Sequence, residues 1–289
     1  MFRKILFPTR FEEFSLQVLQ SIVCLKAAGL EEVVLLHVIN TEALYQEAEH
    51  GIPINQDWLR TIATKRFAPF SEYLKSAGIR ASTEITLGPV VAKIISTAIE
   101  KAVSLIVAGR QKRNVAGDLY TGPVTNGVIR KANVPVLVTK HQTMQEMNGQ
   151  VGDRSNTQLF KKILYPTDWS TYSKRAKEFL PDLHKLGASE VVIVHVMEDF
   201  REAAEKEVES RARENIENLA RELQSCGFSV KSHIVQGKSY CEIMRIASEE
   251  NASLIVIGSQ GKGFVKGILW GSVSQRVVEY SEKPVLVVK

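Results

Sequence analysis

Short, near-continuous apolar runs recur along this chain, each followed by a stretch in which apolar positions return every three or four residues. Val33-Val34-Leu35-Leu36 and Leu254-Ile255-Val256-Ile257 typify the runs, which have the length of strands buried on both faces. The intervening stretches have the period of amphipathic helices. Over the second half this pattern predicts a strand at Lys162–Tyr165, a helix at Ser173–Leu186, a strand at Glu190–Val196 and a long charged helix from about Arg201 to Ser225. It continues with a strand at Ser229–Val235, a helix at Tyr240–Glu249, a strand at Ser253–Gly258, a loop, a helix at Ser272–Tyr280 and a last strand at Pro284–Val288. Five strands separated by helices predict a doubly wound α/β fold, a parallel sheet covered on both faces.

The pattern occurs twice. Lys4-Ile5-Leu6-Phe7-Pro8-Thr9 returns as Lys162-Ile163-Leu164-Tyr165-Pro166-Thr167, and Glu32 to Val38 returns as Glu190 to Val196, both at an offset of 158. Ser104 to Gly109 returns as Ser253 to Gly258, and Val134 to Val138 as Lys283 to Val287, at an offset of 149. The first copy therefore has nine extra residues between about positions 40 and 71, most simply within Ala43–Leu59, where Gly51 and Pro53 lie. His141 to Leu159 is polar and without apolar period, which marks a linker. The expected organisation is two tandem domains, 1–140 and 160–289, joined by 141–159.

Composition removes several classes. At 44% apolar and 24% charged the chain is of ordinary globular type, and no run approaches the roughly 20 apolar residues of a membrane helix. The opening MFRKILFPTRF lacks a signal-peptide apolar region, which predicts a cytoplasmic protein. Cys24, Cys226 and Cys241 have neither CxxC nor zinc-ligand spacing and are expected to be reduced packing residues. The net charge of +5 is interleaved rather than clustered, which argues against nucleic acid as a partner. Residues 1–150 carry 17 basic against 13 acidic side chains, and residues 151–289 carry 20 against 19, so the surplus sits in the first half.

The segment from Gly258 to Ser272, GSQGKGFVKGILWGS, carries the candidate chemistry. It follows a buried strand and ends at a helix start, where a doubly wound sheet offers its ligand crevice. Glycines 258, 261, 263, 267 and 271 allow positive φ and close approach of backbone to a ligand. Loop N–H groups and the first turn of the helix at Gly271, Ser272, Val273 and Ser274 form a cradle for phosphates. Ser272 and Ser274 offer hydroxyl donors, and Lys262 or Lys266 offers positive charge. A flexible loop capped by Ser272 is the plainer alternative. Asp168, at the end of the first strand, suits either a ribose hydroxyl or the N-cap of the next helix. His195 has a counterpart in His37, so the reading that covers both is a shared packing or hydrogen-bonding role.

Gly258, Gly261, Gly271 and Ser272 match G-x2-G-x9-G-[S/T], and here the sequence resembles the universal stress protein family in its nucleotide-binding branch. Pro166-Thr167-Asp168 and His195-Val196 match the family's strand-end motifs, and the resemblance covers about 270 of the 289 residues. It implies a strand order of 3-2-1-4-5 in each copy and an adenine nucleotide, ATP or AMP, in the second. The residues implied to hold it are Pro166, Thr167, Asp168, Val196, Ile257, Gly258, Ser259, Gly261, Lys262, Gly263, Gly271, Ser272, Val273 and Ser274, with Asp168 on the nucleoside. Mg2+ or Mn2+ is expected only as a companion of the phosphates, since no carboxylate pair is evident. The resemblance also implies pairing through last strands, either between the two copies as an internal pseudo-dimer or between two chains as a homodimer.

The first copy departs from the motif. Gly109 keeps the first glycine, but Lys112 stands for the second, Gly122-Pro123 for Gly-Ser, and Arg10 for Asp168. Proline has no N–H, and Arg10 inverts the charge beside the expected ribose. The first copy is therefore expected not to bind nucleotide in the family manner. Arg10, Arg110, Lys112 and Arg113 are expected to gather at its strand ends as a basic mouth, for another anion or for solvent alone. The function this implies is a nucleotide-binding regulator of stress response. The alternatives left open are a slow ATPase on the same site and, from fold analogy alone, nicotinamide or flavin binding. An adenylating ligase is disfavoured, because Thr167-Asp168-Trp169-Ser170 stands where its pyrophosphate loop belongs.

Overall fold

The computed structural model describes residues 2–11, 15–41, 55–112, 119–140, 159–198, 205–262 and 270–289. The first half contains β1 (Lys4–Pro8), α1 (Ser15–Ile22), β2 (Glu32–Ile39), α2 (Gln56–Ser76), β3 (Arg80–Leu87), α3 (Val90–Glu100), β4 (Leu105–Lys112), the two-residue β5 (Leu119–Tyr120), α4 (Pro123–Lys131) and β6 (Val136–Lys140). The second contains β7 (Lys162–Pro166), α5 (Thr171–Lys177), α6 (Leu180–His184), β8 (Glu190–Met197), α7 (Glu205–Ser225), β9 (Ser229–Gln236), α8 (Ser239–Glu249), β10 (Leu254–Gly258), α9 (Ser272–Tyr280) and β11 (Val285–Val288).

The strands form one continuous path, β3-β2-β1-β4-β6-β11-β10-β7-β8-β9, with β5 pairing off it onto β4. Each half is parallel in the expected order 3-2-1-4-5. The apolar runs sort their side chains by alternation: Ile5 and Phe7 join the core on one face of the sheet, Leu6 the core on the other. Both cores draw residues from both halves, so the helices of the two copies cover one sheet.

The last strands of the copies meet in the middle. β6 pairs antiparallel with β11, Val138 opposite Val285, Leu137 opposite Leu286 and Val136 opposite Val287, and all six are at most 2% exposed. Phe2 of the first half packs on Phe179 of the second at 6.1 Å between ring centroids. The Thr121 hydroxyl donates to the Val278 carbonyl at 3.3 Å, and the Lys289 ammonium donates to the Ile129 carbonyl. The internal pseudo-dimer is thus the form adopted. A homodimer through the same strands is corrected by this pairing, because neither strand keeps an open edge along it.

Several local expectations change. The single helix expected over Ser173–Leu186 is two, α5 and α6, because Pro181 lacks the N–H that would bond the Lys177 carbonyl and its ring crowds that carbonyl. Cys226 and Cys241 are exposed rather than packed, and Cys24 is partly buried, its thiol pushed up to about 12 by burial. The nine extra residues precede Ala63, since Ala63 and Ala212 are both buried at an offset of 149. Most of Ala43–Leu59 and of the linker lie outside the described residues, and the chain re-enters the core at the buried Leu159 and Phe160. Among the described residues no helix is long and apolar enough to cross a membrane.

Charges gather at the opposite end of the strands from the glycine loop. Glu250, 9% exposed, accepts from Lys162 at 3.0 Å, from His233 at 2.9 Å and from Lys231. The first copy solves the same problem with the signs exchanged: Lys101 stands for Glu250 and Glu84 for His233, and the two pair at 3.0 Å. The Lys231 hydrogen bond, aided by those of Lys162 and His233 and opposed by burial, lowers Glu250 from an ordinary 4.5 to about 2. A depressed carboxylate contributes its full stability above its unfolded value and loses it as pH falls toward the folded one. Urea midpoints should therefore drop between pH 4.5 and 2 more steeply in the native protein than in Glu250→Gln; parallel curves would contradict the assignment.

The shared core makes a second prediction. Leu286→Ala should cost about 2–5 kcal/mol. Single-tryptophan variants retaining Trp58 or Trp169 should report the loss equally, whereas an unmoved Trp58 transition would mean the halves unfold independently.

Candidate functional site

β7 and β10 are neighbours in the sheet, and β8 follows β7 on the other side, so the strand order reverses between them. The chain leaves both strands at the same end, which opens the crevice of a topological switch. After β7, the Thr167 hydroxyl accepts from the Trp169 N–H at 3.2 Å, in a turn that holds Trp169 at φ 64°. Ser170 caps α5, its side chain accepting from the Ser173 N–H at 3.2 Å. The capping role weighed for Asp168 therefore falls to Ser170.

The Asp168 carboxylate instead ties two segments together. One oxygen accepts from the Ser170 N–H at 3.0 Å, and the other reaches across the crevice to the Lys262 N–H at 2.7 Å. Gly261 lies directly beneath this bridge: a Cβ there would stand 2.7 Å from the carboxylate oxygen. At Gly258 a Cβ would stand 2.6 Å from the backbone carbon of Tyr172, so that glycine lets α5 cross the end of β10. At Gly271 it would meet the Gln260 Cα at 3.2 Å. None of these three glycines has positive φ. Their requirement is space, which corrects the conformational reason inferred from sequence.

Ser259 closes the loop at its base. Its N–H donates to the Val288 carbonyl at 2.7 Å, and its carbonyl accepts from the Gly271 N–H at 2.8 Å and the Ser274 hydroxyl at 2.9 Å. Ser274 is buried, and its hydroxyl serves this tether; Thr125 does the same in the first copy, donating to the Gly109 carbonyl at 3.0 Å. Ser274 is thus a backbone tether where the sequence pointed to a phosphate donor. Ser272, by contrast, is exposed at the first position of α9, whose early N–H groups have no acceptor within the helix. Pro166, Thr167 and Ile257 are buried beneath the crevice, Val196 and Val273 half-buried at its side, and the Lys262 side chain is exposed. Gly263, Gly267 and Lys266 lie outside the described residues.

His195 donates from Nδ1 to the Thr167 carbonyl at 2.8 Å, because a carbonyl can only accept. This leaves Nε2 as the acceptor. Burial lowers its pKa, opposed by that hydrogen bond, with the Lys262 charge lowering it further and Asp168 raising it. His37 makes the same bond to Thr9 at 2.9 Å, so the histidines fasten the first strand end to the second in both copies.

A cavity of about 420 Å³ adjoins the bridge, lined by Ser170, Thr171, Tyr172, Arg175, Gly261 and Lys262. The Arg175 guanidinium lies 5.5 Å from the Tyr172 ring centroid. Sequence reasoning missed both residues, since it followed the loops and not the helix beyond them; an arginine three positions after a tyrosine was the available signal. Among the described residues no group of three His, Cys, Asp or Glu is placed to hold a metal.

The first copy is built differently at the same place. Where β10 ends at Gly258, β4 continues to Lys112 and turns into a hairpin with β5, Gln111 opposite Tyr120 and Lys112 opposite Leu119. A Cβ on Gly109 or Gly122 would meet nothing within 4 Å, so these glycines no longer relieve crowding. Arg10 is exposed and makes no hydrogen bond to a backbone N–H among the described residues. Arg110 and Lys112 are placed at the strand end by their backbone, and Arg113 lies outside the described residues.

Comparison with known proteins agrees with the duplication. Universal stress protein MJ0577 of Methanocaldococcus jannaschii is 36% identical over 155 residues, 45% of this chain and 96% of its own. The crystal structure of a universal stress protein from Archaeoglobus fulgidus DSM 4304 covers 99% of this chain and 96% of its own, with 28% identity and a TM-score of 0.73. A universal stress protein solved in complex with cAMP matches 44% of this chain and 95% of its own, with 22% identity and a TM-score of 0.34. Residues 1–140 and 159–289 both match the Universal stress protein family, and the chain, two such domains sharing one sheet, belongs to that family.

Proposed function

We propose that the second domain binds an adenine nucleotide, ATP or AMP, and that the protein acts as a nucleotide-responsive regulator in stress response. The observation that carries this reading is the convergence of the Asp168 carboxylate, the side-chain-free Gly261 and the open first turn of α9 on one crevice. The cradle is one that a Cβ would fill, which fits backbone approach to a phosphate chain. The phosphates would lie on the loop N–H groups and on Ser272 and Val273, with Lys262 supplying charge. Adenine would lie against Val196, and Ser259 and Ser274 would hold the base of the loop. Mg2+ or Mn2+ would be held by the phosphates.

The Asp168 oxygen that would meet the ribose is the one now accepting from Lys262. Nucleotide would therefore exchange one hydrogen bond for another, a ribose hydroxyl for the loop N–H, and the exchange would release the loop from the β7 turn. This couples occupancy to loop position, which is the property a regulator needs.

Denaturing the freshly purified protein should release close to one adenine nucleotide per chain. Gly261→Val should abolish binding with the fold intact, since the clash is with a single carboxylate oxygen. Asp168→Ala should weaken binding about tenfold or more, the scale of a lost hydrogen bond to a charged group. Two nucleotides per chain, or undiminished binding in Gly261→Val, would contradict the reading. Gly258→Ala separates structure from binding: its clash is with the α5 backbone, so it should cost about 1–3 kcal/mol of stability in denaturant titration.

A further inference from the structure

The first domain has the same crevice with its chemistry inverted. Arg10 occupies the position of Asp168, and Phe11, the next residue, that of Trp169. The Phe11 ring lies 4.7 Å from His37 and is braced edge-on by Phe67 at 4.8 Å. Arg66, on α2, places its guanidinium carbon 5.8 Å from the Phe11 centroid; the second domain has Asn215 there. At the C-terminal ends of β1 and β2 the Arg66 guanidinium thus lies over an aromatic that packs on an imidazole, and the exposed Arg10 directly precedes that aromatic.

Neither arginine has an ion-pair partner among the described residues. Five other arginines of the described residues pair with carboxylates: Arg3 with Glu31, Arg80 with Glu32, Arg211 with Glu207, Arg213 with Glu209, and Arg245 with Glu242 and Glu249. The positive charge is felt locally, because burial lowers the pKa of His37 and both Arg66 and Arg10 lower it further. His37 already donates from Nδ1 to Thr9, so Nε2 faces this field as an acceptor, and as a second donor once protonated.

We propose that Arg10 and Arg66, with Phe11 and His37 between them, form an anion site for a phosphate dianion, free or as a simple monoester. Two guanidinium forks match a group carrying about −1.5 to −2 charge and three acceptor oxygens. The site grips with side chains, whereas the second domain offers backbone N–H groups. With Lys112 in place of Gly261 and Pro123 in place of Ser272, it lacks the glycine cradle for a polyphosphate chain. It stands independently of nucleotide binding in the second domain.

The test uses the full chain carrying Gly261→Val, which silences the second domain, at constant ionic strength set with chloride. Histidine side chains are followed by nitrogen-15 NMR while inorganic phosphate or glycerol 3-phosphate is added. A saturable shift of His37, assigned with His37→Gln, is expected, with its pKa rising as the anion offsets the arginine charge while His195 stays unmoved. Arg10→Gln combined with Arg66→Gln, both at exposed positions, should weaken binding at least about tenfold. Saturation by the monoester alone or by both probes supports the site, the first placing its recognition in the ester. No saturable change at His37 with either probe, or equal affinity in the double variant, would overturn it.

Discussion

The antiparallel pairing of β6 with β11 is the constraint on which the rest of the molecule depends. Each half is a parallel sheet whose last strand would otherwise present unpaired N–H and carbonyl groups. Joining these strands removes both edges at once and merges the two cores of each half into one shared core on each face of the sheet, with Leu137 and Leu286 on one face and Val138 and Val285 on the other. Because the pairing is antiparallel, the five path strands of one half run against the five of the other. The two crevices, each at the C-terminal ends of its own strands, therefore open at opposite ends of the sheet. Among the described residues the side chains at each crevice come from its own domain, so the two can diverge chemically without loss to the shared core.

The divergence is concentrated at the exit from the fourth strand of each copy. In the second domain Gly258 lets α5 cross the strand end, the chain departs from the sheet, and Asp168 catches it by the Lys262 N–H. In the first domain the chain stays in the sheet to Lys112 and folds back on β5, and Arg10 stands where the catching carboxylate would be. In one copy a carboxylate holds the chain at Lys262; in the other the chain pairs β4 with β5. The tethers common to both copies, the Nδ1 atoms of His195 and His37 on the first strand end and the hydroxyls of Ser274 and Thr125 on the fourth, serve the fold.

Much of this was legible in the sequence because the signals were periodic. Buried strands read as Val/Ile/Leu runs, and the duplication exposed itself through two constant offsets; the sheet order and the meeting of the last strands came from the family resemblance carried by Gly258, Gly261, Gly271 and Ser272. What escaped was what periodicity does not encode. The apolar period runs unbroken from Ser173 to Leu186, and only the ring of Pro181 divides the helix. A glycine needed for space is written with the same letter as one needed for positive φ, so the roles of Gly258 and Gly261 were misassigned. Ser274 lies beside Ser272 in sequence but on the inner face of α9, which turned a supposed ligand contact into a tether. Arg175 and Arg66 sit on helices, outside the loop motifs, and Arg66 is far in sequence from the strand end it flanks.

In the proposed function the second domain's crevice is kept ready by a carboxylate that must change partners when nucleotide arrives. A crystal structure of the full chain soaked with ATP or AMP tests this most directly. The expected result is one nucleotide per chain at the start of α9, with the Asp168 oxygen moved from the Lys262 N–H to a ribose hydroxyl. Nucleotide bound at another place, or bound there with the Asp168 to Lys262 bond intact, would contradict it.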